Sequence, residues 1–104
     1  MKSTPRKGIA PQRQEAAERL AIAALGFLAG ERERIERFLA LSGLGPESLR
    51  AAARDPRFLV GVLDHVASDE DLLLAFADER GIDPQEIDRA RDVLAGPSGQ
   101  TGAA

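Results

Sequence analysis

Apolar residues recur along the chain at the three- and four-residue spacing of amphipathic helices, and no segment shows the sustained alternation of a strand. The clearest stripe is formed by Phe58, Leu59, Val62, Leu63 and Val66. Prolines and capping residues precede such stripes and glycines follow them, which is the usual arrangement of helix starts and stops. The sequence therefore predicts an all-α fold with about six helices.

These signals also predict where each helix begins and ends. Helices are expected from Pro11 to near Gly30, over 31–41, from Pro46 to about Arg54, from Pro56 after an Asp55 cap, over 69–80 after a Ser68 cap, and from Pro84 after an Asp83 cap. The ordered body is expected to be a single domain over residues 11–95. A disordered basic arm is expected over 1–10 and a disordered tail over 96–104, because both are rich in Gly, Pro and polar residues.

An offset of 38 residues aligns the chain with itself without a gap. Gly43–Leu49 then falls on Gly81–Ile87, and both segments read glycine, aliphatic, any residue, proline, with an aliphatic three residues later. Apolar positions agree between the units, which span about 20–57 and 58–95. We interpret this as an internal duplication of a three-helix unit packed around a pseudo-twofold axis.

Two small residues become equivalent under this offset. Ala23 in the first predicted helix matches Gly61 in the fourth. Because a glycine inside a helix costs roughly 1 kcal/mol relative to alanine, we expect a packing reason for Gly61. The expectation is a close approach of the two helices at these residues.

Composition narrows the range of functions. The 104 residues carry 14 basic and 17 acidic side chains, which favours a soluble protein over a generally basic nucleic-acid binder. The absence of cysteine excludes disulfides, cysteine-ligated zinc and thiol nucleophiles. The most apolar run, Leu20–Gly30, is shorter than the about 20 residues of a membrane span, so a cytoplasmic location without membrane contact is expected.

Three stretches carry a resemblance to a known family: LALSGLGP over 39–46, FLVGVLD over 58–64 and DEDLLLAF over 69–76. They resemble a family of small bacterial proteins that is catalogued only as a domain of unknown function. The resemblance covers about residues 16–94 and implies no activity, ligand or catalytic residue. The segment 32–34, which is charged throughout, departs from the more apolar pattern at 70–72 and implies a more solvated second helix.

Candidate chemistry is sparse. His65 is the one imidazole, and a side chain directly after Asp64 on a helix points away from it, so a half-buried structural role is expected. The acidic run 69–71 directly follows a predicted helix start, where the helix dipole favours acids, so capping is preferred over cation binding. No catalytic, cofactor-binding or metal-binding residue is predicted, no cofactor is expected, and we do not expect an enzyme.

Opposite charges follow one another at helical spacing in the second predicted helix. Glu31 and Arg34 lie three residues apart, and Glu33 and Arg37 lie four apart. Such pairs usually mark a face exposed to solvent.

The first functional hypothesis is a non-catalytic interaction or regulatory module whose partner is another protein. Leu74 is the candidate partner-binding residue, because Leu72, Leu73 and Leu74 are consecutive and at least one of them must turn away from the core.

The alternative is a weak nucleic-acid-associated regulator that uses the basic N-terminal arm. Lys2, Arg6, Lys7 and Arg13 are the candidate phosphate contacts, with no acidic residue among the first 14. The helices that follow the two glycine–proline turns carry balanced charge and little to read base edges, which weighs against this alternative.

Overall fold

The computed structural model describes the backbone of residues 4–101 and the side chains of residues 12–96. Helix α1 spans Thr4–Ala29, α2 Arg32–Ser42, α3 Leu49–Ala52 after a 3₁₀ turn over Pro46–Ser48, α4 Pro56–Ala67, α5 Glu70–Arg80 and α6 Pro84–Thr101. Every regular element in this part of the chain is helical, which confirms the all-α prediction.

Aspartate caps start three of the helices. The carboxylates of Asp55, Asp69 and Asp83 each accept the backbone N–H two residues later, at 2.9, 3.0 and 2.9 Å. The predicted Ser68 cap of α5 is wrong by one residue, because Asp69 occupies that position. Ser68 instead ends α4, where its hydroxyl donates to the carbonyl of His65 at 3.0 Å. The capping interpretation of the acidic run at 69–71 is confirmed.

Glycines end the helices as predicted. Gly43 closes α2 with a φ of 76°, and Gly81 closes α5 with a φ of 68°. Only glycine enters this left-handed region without strain. Gly96, with a φ of 77°, interrupts α6 at the predicted stop, but helical backbone resumes after it and runs to Thr101.

The start of α1 differs from the prediction. The helix begins at Thr4 rather than at Pro11. Pro5 lies in the first turn, where a missing N–H costs nothing, and is therefore the proline that suits the start. Residues 1–3 and 102–104 lie outside the described part, and the disorder expected for the arm and the tail stays a prediction.

The core is centred on α4. Its stripe of Leu59, Val62, Leu63 and Val66 is at most 2% exposed. Helices α1, α5 and α6 pack directly against α4, and α2 packs against α1. Small side chains let α1 come close to its neighbours, since it buries the following alanines: Ala17, Ala21 and Ala24.

The predicted close approach at Ala23 and Gly61 is wrong. Gly61 is exposed, and a Cβ atom built on it would meet no other atom within 4 Å. Helical periodicity explains the error, because Gly61 lies on the face of α4 opposite the buried stripe. The contact between α1 and α4 is made instead by α1 positions such as Ala21 and Ala24, which are fully buried.

The helix bounds repeat at the 38-residue offset. Adding 38 to the bounds of α2 gives the bounds of α5, and adding 38 to the end of α1 gives the end of α4. Pro46 and Pro84, which start the elements after the two left-handed glycines, are also 38 residues apart.

Two aromatic contacts are related by the same offset. The rings of Phe27 and Phe76 lie 5.2 Å apart, and those of His65 and Phe38 lie 5.1 Å apart. Position 65 is the equivalent of 27, and 76 is the equivalent of 38, so each pair is the other with its two members exchanged. A pseudo-twofold axis produces such an exchange. A common origin of the two halves stays a prediction.

Two glycine-to-alanine substitutions should have opposite effects on the free energy of unfolding. Gly61→Ala should raise it by roughly 0.5–1 kcal/mol, because the site is an open helical position. Gly81→Ala should lower it by about 1–2 kcal/mol, because an alanine there must adopt the left-handed conformation. Urea unfolding at micromolar chain concentration measures both; changes of the same sign would contradict this account.

Candidate functional site

Of the four predicted phosphate contacts, one lies on a described side chain. Arg13 is exposed on the first half of α1. Arg6 and Lys7 belong to the helical backbone of α1, but their side chains lie outside the described part, as does Lys2 altogether.

Leu74 is exposed, as predicted, with 49% of its surface accessible. Its neighbours on the outer face of α5 are acidic, because Glu70, Asp71 and Asp78 lie three or four residues away and are exposed. Leu74 is therefore a single apolar side chain on an acidic helix face. Its role in partner binding stays a prediction.

The most exposed large apolar residue in the described part is Leu41, at 73%, and the sequence analysis did not single it out. Its helical position lies well away from the inward stripe of Ile35, Phe38 and Leu39 on α2. The same periodicity that predicted the stripe could therefore have identified Leu41.

A shallow groove of about 800 Å³ follows the seam between the first half of α1 and α6. We call it the arginine groove. Its floor is apolar and is formed by Ala16, Ala17, Leu20, Ile82, Ala90 and Val93. Its rim carries the guanidinium groups of Arg13, Arg19, Arg80 and Arg89 and the carboxylates of Glu86 and Asp92.

The rim is positively charged and weakly tied down. All four arginines are exposed, and among the described residues none of them forms an ion pair. Arg89 makes one long hydrogen bond, in which Nη2 donates to Oε1 of Gln85 at 3.5 Å. With four cations against two anions, the rim favours an acidic ligand while the floor favours an apolar one.

A second groove, of about 460 Å³, lies between the end of α2 and the outer face of α4. We call it the aromatic groove. Its α2 wall consists of Phe38, Leu41 and Ser42. Its α4 wall consists of Arg57, Phe58, Gly61, Asp64, His65 and Ser68.

Edge-to-face contacts order the rings in this groove. Phe38 is buried and meets Phe58 at 5.7 Å and His65 at 5.1 Å, each at an interplanar angle of 67°. Such tilted pairs are favourable beyond their buried area. The two contacts hold the α2 wall against the α4 wall, and the half-buried Phe58 remains open to the groove.

His65 is half-buried, as predicted, and its Nε2 atom is buried without a hydrogen-bond partner. Burial lowers the pKa of His65 below its usual 6.5, Arg37 lowers it further, and Asp69 opposes the change. Glu33, Arg34 and Glu36 line the cleft beside it, together with Arg37 and Asp69.

Asp64 does not orient His65. Its Oδ1 accepts from Nη1 of Arg91 at 2.9 Å, and Arg91 also lies 3.4 Å from Asp88. The predicted divergence of Asp64 and His65 is therefore observed. Among the described residues, no group of three or more His, Cys, Asp or Glu side chains is placed to hold a metal ion.

The charged face of α2 is less solvated than its spacing suggests. Glu31 and Arg34 pair at 3.7 Å as predicted, whereas Glu33 and Arg37 form no ion pair in the described part. The guanidinium of Arg34 lies 4.4 Å from the centroid of the Phe27 ring. This cation–π contact covers the core at the position whose equivalent is Leu72.

The lowered pKa of His65 should make stability depend on pH. The unfolded state, whose histidine pKa is 6.5, then binds more protons than the folded state, so stability falls as pH drops through 6.5 towards the folded pKa. His65→Phe places there the residue found at the equivalent position 27 and removes this dependence. The difference in unfolding free energy, variant minus wild type, should grow between about pH 8 and pH 5.

Urea unfolding over this pH range measures the difference, and the carboxylates shared by both proteins cancel. Parallel pH profiles would contradict the assignment of the dependence to His65.

Known proteins add a family but no activity. No helix in the described part of the chain combines the length and apolar character required to cross a membrane. No curated protein and no solved structure matches the chain. One family model, described as protein of unknown function (DUF3572), matches residues 14–97. Because this match covers most of the sequence, including α2 to α5 in full, the chain belongs to the DUF3572 family of proteins of unknown function.

Proposed function

We propose that the chain is a non-catalytic interaction module that binds an acidic, amphipathic helix of a partner protein along the arginine groove. The observation that carries the proposal is the combination of an apolar floor with a rim of four exposed arginines. An amphipathic helix presents apolar side chains at three- and four-residue spacing and can carry carboxylates on either side of them.

The floor argues for a helix rather than for nucleic acid. Leu20, Ile82 and Val93 are half-buried aliphatic residues that offer contact area to leucines. No aromatic side chain lines this groove to stack a base, and Glu86 and Asp92 on the rim repel phosphates. The same two acids sit among arginines and leave a net positive rim for a carboxylate-bearing ligand.

A defined peptide tests the proposal on the full chain. The probe is a fluorescent helical peptide of about 20 residues, roughly 30 Å long, with leucines at i, i+3, i+4 and i+7 and glutamates on the flanks. A second peptide keeps the leucines and carries lysines instead of glutamates. Fluorescence anisotropy should show binding of the acidic peptide and none of the basic one.

Charge reversal on the rim should weaken this binding. Arg19→Glu with Arg89→Glu is expected to reduce affinity at least about tenfold, because both cations face the ligand. Arg32→Glu with Arg50→Glu is the matched control, since these arginines are exposed, lie outside the groove and change the net charge equally. The control pair should retain affinity.

Several results would overturn the proposal. These are no binding of the acidic peptide by the wild-type chain, an equal loss in both double variants, and a loss confined to Leu74→Glu, which would place the contact on α5 instead. Binding of a DNA duplex without binding of the peptide would favour the alternative function, particularly if Arg13→Glu abolished it.

A further inference from the structure

We propose that the aromatic groove is the contact surface of a symmetric homodimer, in which α4 of one copy packs antiparallel on α4 of a second copy with Gly61 at the crossing point. This surface is separate from the arginine groove, so the inference does not rest on the proposed function.

Gly61 shows where two helices could approach most closely. It lies in the middle of α4, is exposed, and has no atom within 4 Å of the position where a Cβ would stand. Nothing in the monomer explains a glycine there, although glycine disfavours a helix interior. Glycine at a helix crossing lets two backbones approach closely, as small residues do at other helix interfaces.

The charges beside Gly61 select a second copy in the antiparallel orientation. Arg57 lies four residues before Gly61 and Asp64 three residues after it, so all three share one face of α4. When two copies of α4 cross antiparallel at Gly61, Arg57 of each copy faces Asp64 of the other. A parallel crossing would bring like charges together. An isologous contact requires this kind of self-complementary patch.

Both charged side chains are available for this exchange. The side chain of Arg57 is 93% exposed and lies 3.7 Å from Asp55 in a loose ion pair. Asp64 is 55% exposed and is bound through Oδ1 to Arg91. A carboxylate can accept several hydrogen bonds, so Asp64 can keep Arg91 and accept a second guanidinium.

Apolar contacts complete the patch. Leu41 stands on the rim with 73% of its surface exposed, and Phe58 is half-buried beside Gly61. Ser42 and Ser68 are small and leave room along the groove. A patch of this size falls below the about 800 Å² per partner of a standard stable interface, so the dimer is expected to be weak.

The first measurement is sedimentation of the full wild-type chain from about 10 µM to 1 mM, a range that detects a weak dimer. The expected result is a monomer at the lower end and a growing dimer fraction at the upper end. Gly61→Gln should abolish the dimer by filling the crossing point, and glutamine favours the helix, so the monomer should stay folded.

The chain supplies a matched control for this variant. Gly26 is also an exposed glycine inside a helix with an open Cβ position, but it lies on α1 outside the groove. Gly26→Gln should therefore leave the dimer fraction unchanged. Circular dichroism and thermal unfolding verify that both variants remain folded.

Charge reversal provides a second and independent test. Arg57→Glu and Asp64→Arg should each be monomeric alone, because each places two like charges in both contacts of the homodimer. An equimolar mixture of the two variants should form a heterodimer, since an acid at position 57 then faces the arginine at position 64 and the remaining Arg57 faces the remaining Asp64. A simple loss of folding would not be rescued by mixing.

The inference is overturned if the wild-type chain stays monomeric at about 1 mM, where even a weak dimer would be populated. It is also overturned if Gly61→Gln and Gly26→Gln dimerise equally, or if the two charge variants fail to associate when mixed.

Discussion

The buried stripe of α4 positions the other long helices. Leu59, Val62, Leu63 and Val66 exclude water only when α1, α5 and α6 close over them, and α2 is then held against α1. Burial of such side chains is worth about 1.5–3 kcal/mol each, so the stripe is the main directional constraint on the fold. Because all of this apolar surface lies on one side of α4, the opposite side is left to solvent, and the aromatic groove is built there.

Most of the fold could be predicted from the sequence because its signals are local. Asp55, Asp69 and Asp83 act within two residues of themselves, and Gly43 and Gly81 end their helices by their own backbone conformation. The errors arose where two local signals competed. Pro11 was preferred over Pro5 as a helix start, and the glycine at 61 was assigned to the inner face of its helix although its periodicity places it outside.

The candidate sites could not be predicted in the same way, because they are formed by residues distant in sequence. The arginine groove joins residues 13–20 of α1 to residues 80–93, and no local pattern links those segments. Arg13 alone had been identified, and for a different reason. The aromatic groove likewise needs α2 and α4 to meet, and its most exposed member, Leu41, carries no motif. Its periodicity marks it as outward-facing but does not indicate what lies opposite.

The crossed ring contacts have a consequence for how the domain holds together. Phe27 finds its ring partner, Phe76, in the second half of the chain, and His65 finds Phe38 in the first half. A fragment cut in the α3 region would contain both helix pairs of its own half, yet each half would expose a ring that only the other half covers. The two halves are therefore one cooperative folding unit despite their repeated layout, and separated fragments would regain structure only by associating with each other.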